Sequence, residues 1–364
     1  MTSLLLAAVA LLSFANGAND NFKGVATLWG AGRTSYKRAL GWATTFTFLG
    51  SLTAIWAAQG LVARFNGSEL VAGEIHAQIP FVAAVALSAA ATVLLASRLG
   101  LPISTTHALA GALAGASVLA AGFAQVKFSA LGNGIVLPLA FSPVVSLALT
   151  VAAYPLVAKL AGGRDCVCID QPAAIALAPA ASSSTAIVGA PPAVRWARTS
   201  ACQTGAEVVR WSISDGMHWF SAAAISFARG LNDTPKIAAL LFVASFAGAL
   251  GTKVSYALVA LAMALGGAVA AARVAQTLSK KITPMATPEA VGANLVTALL
   301  VMLASGWALP VSTTHTASGS LFGIGLLRHK EADWRRVRDI LLSWLATLPL
   351  GALFAAIFYR LLML

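Results

Sequence analysis

The sequence predicts an all-α protein that crosses a membrane many times. Of its 364 residues, 59% are hydrophobic and 10% are charged, and the mean hydropathy is +0.82, whereas about a quarter of an ordinary soluble domain is charged. The apolar runs are rich in Ala, Gly, Ser and Thr, which suits helices packed closely in lipid, and they lack the alternation of a β-barrel. Two motifs recur in the same order in both halves, which indicates an internal duplication.

Apolar runs follow one another along the chain, and several reach the roughly 20 residues that a helix needs to cross a bilayer. They cover residues 2–16, 39–63, 79–97, 101–124, 131–161, 216–228, 237–251, 254–272, 290–309, 310–327 and 339–362. No basic residue precedes the first run and more apolar helix follows it, so we expect a retained helix rather than a cleaved signal peptide. Allowing for broken helices and re-entrant hairpins, we expect about 10–12 transmembrane segments.

The first departure from this pattern is GANDNFKG at residues 17–24. Its Gly and Asn residues disfavour a continuous helix, so we expect the backbone to open and to free groups that a bound ion can satisfy. Asp20 would supply carboxylate oxygens for a cation, while Lys23 would supply an ammonium group. The alternative is that Asp20 and Lys23 form an i,i+3 ion pair that only neutralises itself.

A second motif, LPISTTHALAGALAG, occupies residues 101–115. Pro102 suits the first turn of a helix, and Ser104, Thr105 and Thr106 then place hydroxyls and free N–H groups at the helix start. Such an end binds a tetrahedral oxyanion, because unpaired donors and the positive end of the helix dipole converge on it. The alternative is an ordinary Ser/Thr cap of a buried helix.

A change of composition at residues 162–212 divides the chain into a first transmembrane repeat, 1–161, and a second, 213–364. The segment contains AAIALAPAASSSTAIVGAPPA, a low-complexity tract that is typical of a flexible linker. It also holds the three cysteines, which we expect to be reduced thiols in the cytoplasm: Cys166, Cys168 and Cys202.

Both motifs return in the second half. LPVSTTHTASGSLFG at 309–323 matches 101–115 at nine of fifteen positions, and GLNDTPKI at 230–237 repeats the N-D and K spacing. An odd number of crossings in each half makes the duplication inverted, and inverted repeats with broken helices are the signature of secondary transporters. The corresponding candidate residues are Asn232, Asp233, Lys236, Ser312, Thr313 and Thr314. For His107 and His315, which close the boxes, a proton-linked role and simple helix packing both stay open.

The basic residues predict the orientation. With the N-terminus outside, sixteen Lys and Arg residues fall on the inner side and four on the outer side, a strong positive-inside asymmetry. The outer four are Arg64, Lys127, Lys253 and Arg360. The inner sixteen are Arg33, Lys37, Arg38, Lys159, Arg164, Arg195, Arg198, Arg210, Arg273, Lys280, Lys281, Arg328, Lys330, Arg335, Arg336 and Arg338. We therefore expect a cell-membrane protein with both termini outside and a cytoplasmic linker. Arg98 is not assigned to a side, because its segment could form a re-entrant hairpin. Three further basic residues inside apolar stretches have no topological explanation: Lys23, Arg229 and Lys236.

Several function classes are disfavoured. The sequence has no nucleophile–base pair, metal-ligand cluster or nucleotide motif, which argues against an enzyme, and the topology accounts for the net charge of +12 without nucleic acid. We expect no cofactor besides a coupling ion. A channel or a membrane scaffold remains an alternative, although a channel need not duplicate a charged site. A homodimer is compatible with the sequence, but no dimer face is identifiable.

The residues GAND at 17–20, SFARGLNDTPK at 226–236 and the two LPxSTTH boxes resemble the inorganic phosphate transporter (PiT) family. The resemblance implies a carrier of roughly twelve segments that moves inorganic phosphate with Na+, or with H+ in many bacterial members. It also implies that Asn19, Asp20, Asn232 and Asp233 belong to the ion and substrate centre, with the asparagines facing the substrate and the aspartates holding a coupling ion such as Na+. Both STT triplets would contact phosphate.

The sequence departs from the family pattern at three positions. Lys23 and Lys236 stand where many members have Asn, and Asn294, a coupling-ion candidate, stands where many have Glu or Gln. Each ammonium could replace a coupling cation or strengthen anion binding.

Two carboxylates favour phosphate over sulfate, because phosphate keeps a P–OH that can donate to a carboxylate and sulfate does not. Sulfate is the alternative substrate.

Overall fold

The computed structural model describes residues 1–161, 166–170, 193–197, 207–243, 251–280, 287–327 and 333–364. This part of the chain is almost entirely helical. Its helices are α1 (Thr2–Asp20), α2 (Ala26–Gly30), α3 (Tyr36–Ala57), α4 (Gly60–Phe65), α5 (Ile79–Leu99), α6 (Thr105–Ala121), α7 (Phe128–Leu131), α8 (Leu137–Ala161), α9 (Ile213–Val243), α10 (Thr252–Ala270), α11 (Ala272–Lys280), α12 (Thr287–Gly306), α13 (Thr313–Leu327) and α14 (Trp334–Leu362).

Six helical segments of the described residues are long and apolar enough to cross a membrane: Thr2–Gly30, Ile79–Leu99, Phe128–Val157, Thr252–Ala270, Thr287–Gly306 and Trp334–Leu362. Helices α3 and α9, with 22 and 31 residues, also have spanning length. Large apolar side chains on the outer helix faces stay exposed, among them Trp56 at 71% and Leu345 at 74%, and broad apolar surface of this kind marks contact with a membrane. The prediction of an all-α, multi-pass membrane fold is confirmed.

A small antiparallel sheet lies within the segment 162–212. Its strands are β1 (Cys166–Asp170), β2 (Ala193–Ala197) and β3 (Glu207–Ser212), in the order β2-β1-β3. Almost all of the Ala/Pro/Ser tract falls outside the described residues, so its flexibility stays a prediction. Cys168 is disulfide-bonded, and the expectation of a reduced thiol is therefore wrong for this residue.

Glycines allow two pairs of helices to approach closely. A Cβ on Gly17 of α1 would overlap the main chain of Met263 in α10, and a Cβ on Gly230 of α9 would overlap the main chain of Thr47 in α3. Small residues at such contacts let helix backbones pack tightly in lipid. Gly17 and Gly230 are therefore needed for helix packing rather than for helix breaking.

The two ND motifs differ in local structure. In the first, α1 ends at Asp20 and a short 3-10 turn, Lys23–Val25, precedes α2, so the α-helix is interrupted here as expected. In the second, α9 continues through Asp233 and Pro235, and the expected opening is wrong. Pro235 removes one backbone hydrogen bond, a loss that membrane helices tolerate when neighbouring helices pack around them, as α3 does at Gly230.

Two helical hairpins carry the STTH boxes. Residues 100–104 join α5 to α6, and residues 307–312 join α12 to α13. Both upstream helices end in the same way, with Gly100 at φ 70° and Ala308 at φ 55°. Pro102 and Pro310 lie in the non-helical segments before α6 and α13, so their expected place in the first helical turn is wrong.

The left-handed positions give a stability prediction. Gly100→Ala should destabilise the protein by about 1–2 kcal/mol, because a Cβ is disfavoured in this conformation. Ala308→Gly should be neutral or stabilising by less than about 1 kcal/mol, since relief of the same penalty is offset by the greater freedom of glycine in the unfolded chain. Thermal unfolding in detergent measures both, and a lower midpoint for Ala308→Gly than for Gly100→Ala would contradict the argument.

Candidate functional site

Five charged side chains form one buried cluster where the two ND motifs meet. Asp20, Lys23, Arg229, Asp233 and Lys236 are each at most 4% exposed. Asp20 pairs with Lys23, while the Asp233 carboxylate lies 3.7 Å from Arg229 Nε and 3.8 Å from Lys236 Nζ. A charge at the bilayer centre costs at least about 2.5–3.5 kcal/mol on insertion scales, so such residues are treated by default as functional.

Asn16 lies between the two carboxylates. Its Nδ2 is 3.2 Å from Asp20 Oδ2, 3.3 Å from Asp233 Oδ2 and 3.0 Å from Thr105 Oγ1. Its Oδ1 accepts a hydrogen bond of 2.5 Å from Arg229 Nη2. This one side chain thereby links both ND motifs and the first STTH box, and the sequence analysis did not identify it.

Arg229 connects α9 to α1 and α3. Besides its bond to Asn16, its Nη1 donates to Asn21 Oδ1 at 3.0 Å and to Thr47 Oγ1 at 3.3 Å. The planar guanidinium presents five donors in a fixed geometry, which suits a site with several acceptors. Arg229 belongs to the cluster, although the sequence marked it only as a basic residue without a topological role.

The two lysines reach across the cluster to opposite boxes. Lys23 Nζ donates to Thr314 Oγ1 and, at 3.1 Å, to the Ile103 carbonyl. Lys236 Nζ donates to Thr106 Oγ1 at 2.9 Å and to the Val311 carbonyl at 2.6 Å. The two sets of contacts match type for type, and each ammonium joins the two halves of the chain.

Asn19 and Asn232 hold the hairpin turns in place. Asn19 Nδ2 donates to Ser97 Oγ and to the Leu101 carbonyl, both at 3.0 Å, and Asn19 Oδ1 accepts from the Ile103 N–H at 3.1 Å. Asn232 contacts the equivalent Ser305 at 3.1 Å and the Val311 carbonyl at 3.2 Å. In this structure the two asparagines therefore position the boxes.

The serines and threonines of the boxes divide into two groups. The Oγ atoms of Ser104 and Ser312 accept from the N–H groups of His107, at 3.1 Å, and His315, at 3.2 Å, so these serines are helix caps. The threonines lie next to the charges: Thr106 and Thr314 bind the lysines, and Thr105 Oγ1 is 3.4 Å from Asp20 Oδ2. Thr313 is buried beside them at the start of α13.

Asn294 lies to one side of the cluster. Its Nδ2 donates to Thr27 Oγ1 at 2.9 Å and to Ser221 Oγ at 3.3 Å. Asn294 and Lys23 line a small cavity. The space in it that the centre of a water molecule can occupy is about 10 Å³, roughly enough for one water. Within the described part of the chain, Asn294 thus reaches the charged cluster through the cavity that it shares with Lys23.

The two box histidines pack against each other. Their ring centroids are 4.5 Å apart, and His315 also stacks on Trp344 at 3.9 Å. His315 Nδ1 is 3.3 Å from the Leu139 carbonyl. These contacts favour the helix-packing interpretation of the pair.

The cluster has an excess of positive charge. Three cationic side chains and two carboxylates leave the described part of the cluster with a net charge of +1, and two helix starts with threonine hydroxyls adjoin it. Buried N–H donors and positive helix ends bind oxyanions.

Comparisons with known proteins show what this chain is similar to. The sequence profile of the phosphate transporter family matches residues 16–355. The chain is 26% identical over 368 residues to a Bacillus subtilis protein named "Probable low-affinity inorganic phosphate transporter", covering 99% of this chain and 96% of that one. It is 27% identical to "Inorganic phosphate transporter 2-1, chloroplastic" of Arabidopsis thaliana, covering 94% and 69%. A solved structure titled "The sodium-dependent phosphate transporter" shares its fold, with a TM-score of 0.77 and 20% identity over 100% of this chain and 98% of that one.

Proposed function

Because the chain belongs to the phosphate transporter family, we propose that it carries inorganic phosphate across the cytoplasmic membrane by cation-coupled symport. The observation that carries this proposal is the buried cluster of net charge +1 between the two STTH boxes. One monovalent phosphate would neutralise it. The surrounding protein favours such neutrality, because a lone buried charge is strongly disfavoured at low dielectric.

Each part of the site has a role in this proposal. The hydroxyls and N–H groups at the starts of α6 and α13, from Thr105, Thr106, Thr313 and Thr314 with the capping Ser104 and Ser312, would hold the phosphate oxygens. Asp20 and Asp233 would accept hydrogen bonds from P–OH groups and balance a coupling cation, Na+ or H+. The ammonium groups of Lys23 and Lys236 would add positive charge beside the bound phosphate while they keep their oxygen partners. Asn294 would contribute to the coupling-ion site through the cavity beside Lys23.

Alternating access is the proposed mechanism. The two halves, proposed here to be inverted repeats, would rearrange about the central cluster and expose it to one side at a time. The matched contacts of Lys23 and Lys236 support this symmetry. The charge distribution supports both termini outside and a cytoplasmic linker. A monomer contains the whole cluster, and a homodimer is the alternative assembly.

Uptake of radiolabelled phosphate into proteoliposomes tests the proposal. We expect saturable phosphate uptake that exceeds sulfate uptake and responds to an imposed cation gradient. Unlabelled phosphate inside the vesicles should accelerate entry of the label by counterflow, which a channel does not show. Sulfate uptake larger than phosphate uptake would overturn the substrate, and indifference to both Na+ and proton gradients would overturn symport.

A further inference from the structure

We propose that the ammonium groups of Lys23 and Lys236 are tethered cations: each fills an oxygen-lined position that a free alkali-metal ion would otherwise take, so that phosphate transport by this chain needs no Na+. The inference rests on the proposed function and specifies its cation. It is carried by the number and chemical type of the atoms that surround each Nζ.

All three donors of the Lys23 ammonium are occupied. The group has three N–H bonds and no acceptor, and it meets three oxygens: Asp20 Oδ1, the Ile103 carbonyl and Thr314 Oγ1. No donor is left over for a phosphate oxygen in this arrangement. Lys23 therefore acts here as the cation inside a ring of oxygens rather than as an arm extended towards an anion.

The surroundings of Lys236 repeat this set. Its Nζ lies 2.9 Å from Thr106 Oγ1, 2.6 Å from the Val311 carbonyl and 3.8 Å from Asp233 Oδ1. One carboxylate, one carbonyl from an unwound segment and one hydroxyl thus surround each ammonium. Carboxylates and carbonyls freed from helices are the groups that coordinate Na+ in transporters built from broken helices, and both sets are already in use.

Charge balance points the same way. With both ammonium groups in place, the described cluster has a charge of +1 and one monovalent phosphate brings it to zero. An additional Na+ would restore a buried positive charge, which is disfavoured at low dielectric. The cation that remains compatible with the site is a proton carried on the phosphate itself.

Lys23→Asn removes the tethered cation and leaves its oxygens behind. In the wild type, phosphate uptake in NaCl and in choline chloride of equal strength should agree within about twofold. In Lys23→Asn, uptake in choline should fall at least about tenfold, because a buried carboxylate has lost its partner, and NaCl should restore part of it. Lys236→Asn should behave alike, whereas Lys253→Asn, at an exposed position, should match the wild type.

Thermal unfolding of the purified proteins gives a readout that does not need transport. NaCl should raise the unfolding midpoint of Lys23→Asn above its value in choline chloride and leave the wild-type midpoint unchanged. Wild-type phosphate uptake that requires Na+, or a wild-type midpoint raised by Na+, would overturn the inference even if neither lysine variant folds. Absence of wild-type phosphate uptake, with the expected midpoints, would instead overturn the proposed function alone.

Discussion

Asp20→Asn should reduce phosphate uptake at least about 100-fold in reconstituted vesicles. The carboxylate pairs with Lys23 and accepts from Asn16 and Thr105. Removing one partner of a buried ion pair typically costs about 3–5 kcal/mol, and each 1.36 kcal/mol corresponds to a factor of ten. Without the Asp20 carboxylate, the cluster would have a net charge of +2 when no phosphate is bound. The carrier would also lose an acceptor for the P–OH group of phosphate. Initial uptake rates per mass of reconstituted protein measure the effect.

A double variant separates transport from simple neutralisation. Asp20→Asn with Lys23→Met removes both charges together, so the cluster keeps its net +1. If the pair only balances itself, the double variant should regain near-normal uptake, and our assignment would be wrong. We expect the unfolding midpoint of the double variant to lie closer to the wild-type value than the midpoint of Asp20→Asn does. We do not expect the double variant to recover phosphate uptake. Asp339→Asn, whose side chain is 39% exposed in an ion pair on α14, is the matched control and should transport normally.

Arg229→Lys should lower both the unfolding midpoint and phosphate uptake, the latter by about 10- to 100-fold. The guanidinium serves Asn16, Asn21 and Thr47 at once and lies against Asp233. A lysine keeps the charge but replaces the planar fork by a single point of contact. At least one buried acceptor would then stay unsatisfied, at about 1–3 kcal/mol each.

The control for this substitution is Arg360→Lys, at an exposed position of α14. It should leave uptake and the unfolding midpoint unchanged. If Arg229→Lys also leaves both unchanged, charge alone suffices at this position, and the linking role assigned to the guanidinium would be wrong.

The membrane fold could be predicted from composition because burial in lipid requires long apolar helices. The course of α9 through Pro235 could not, since propensity is a weak prior that tertiary packing overrides. Gly230 reads as a helix breaker in the sequence, and only its contact with the main chain of Thr47 shows that it serves helix packing.

The sequence predicted those residues of the candidate site that belong to the duplicated motifs, and it did not predict the others. The duplicated motifs indicated Asp20 and Asp233, but Asn16 and Arg229 are different residue types at the same position of the two halves, so the repeat did not indicate them. A local signal existed for both, because each lies four residues before a motif aspartate and so faces it on a helix. The reach of Lys23 to Thr314 had no sequence signal, since it depends on how distant segments fold together.

Those crossed lysine contacts also constrain how the chain can change over time. Lys23 and Thr314 are 291 positions apart, and Lys236 and Thr106 are 130 apart, yet each pair shares one hydrogen bond. A substitution in one half removes a partner from the other, so the two copies of the duplication cannot drift independently. We therefore expect substitutions at each lysine and at its threonine to have coupled, non-additive effects.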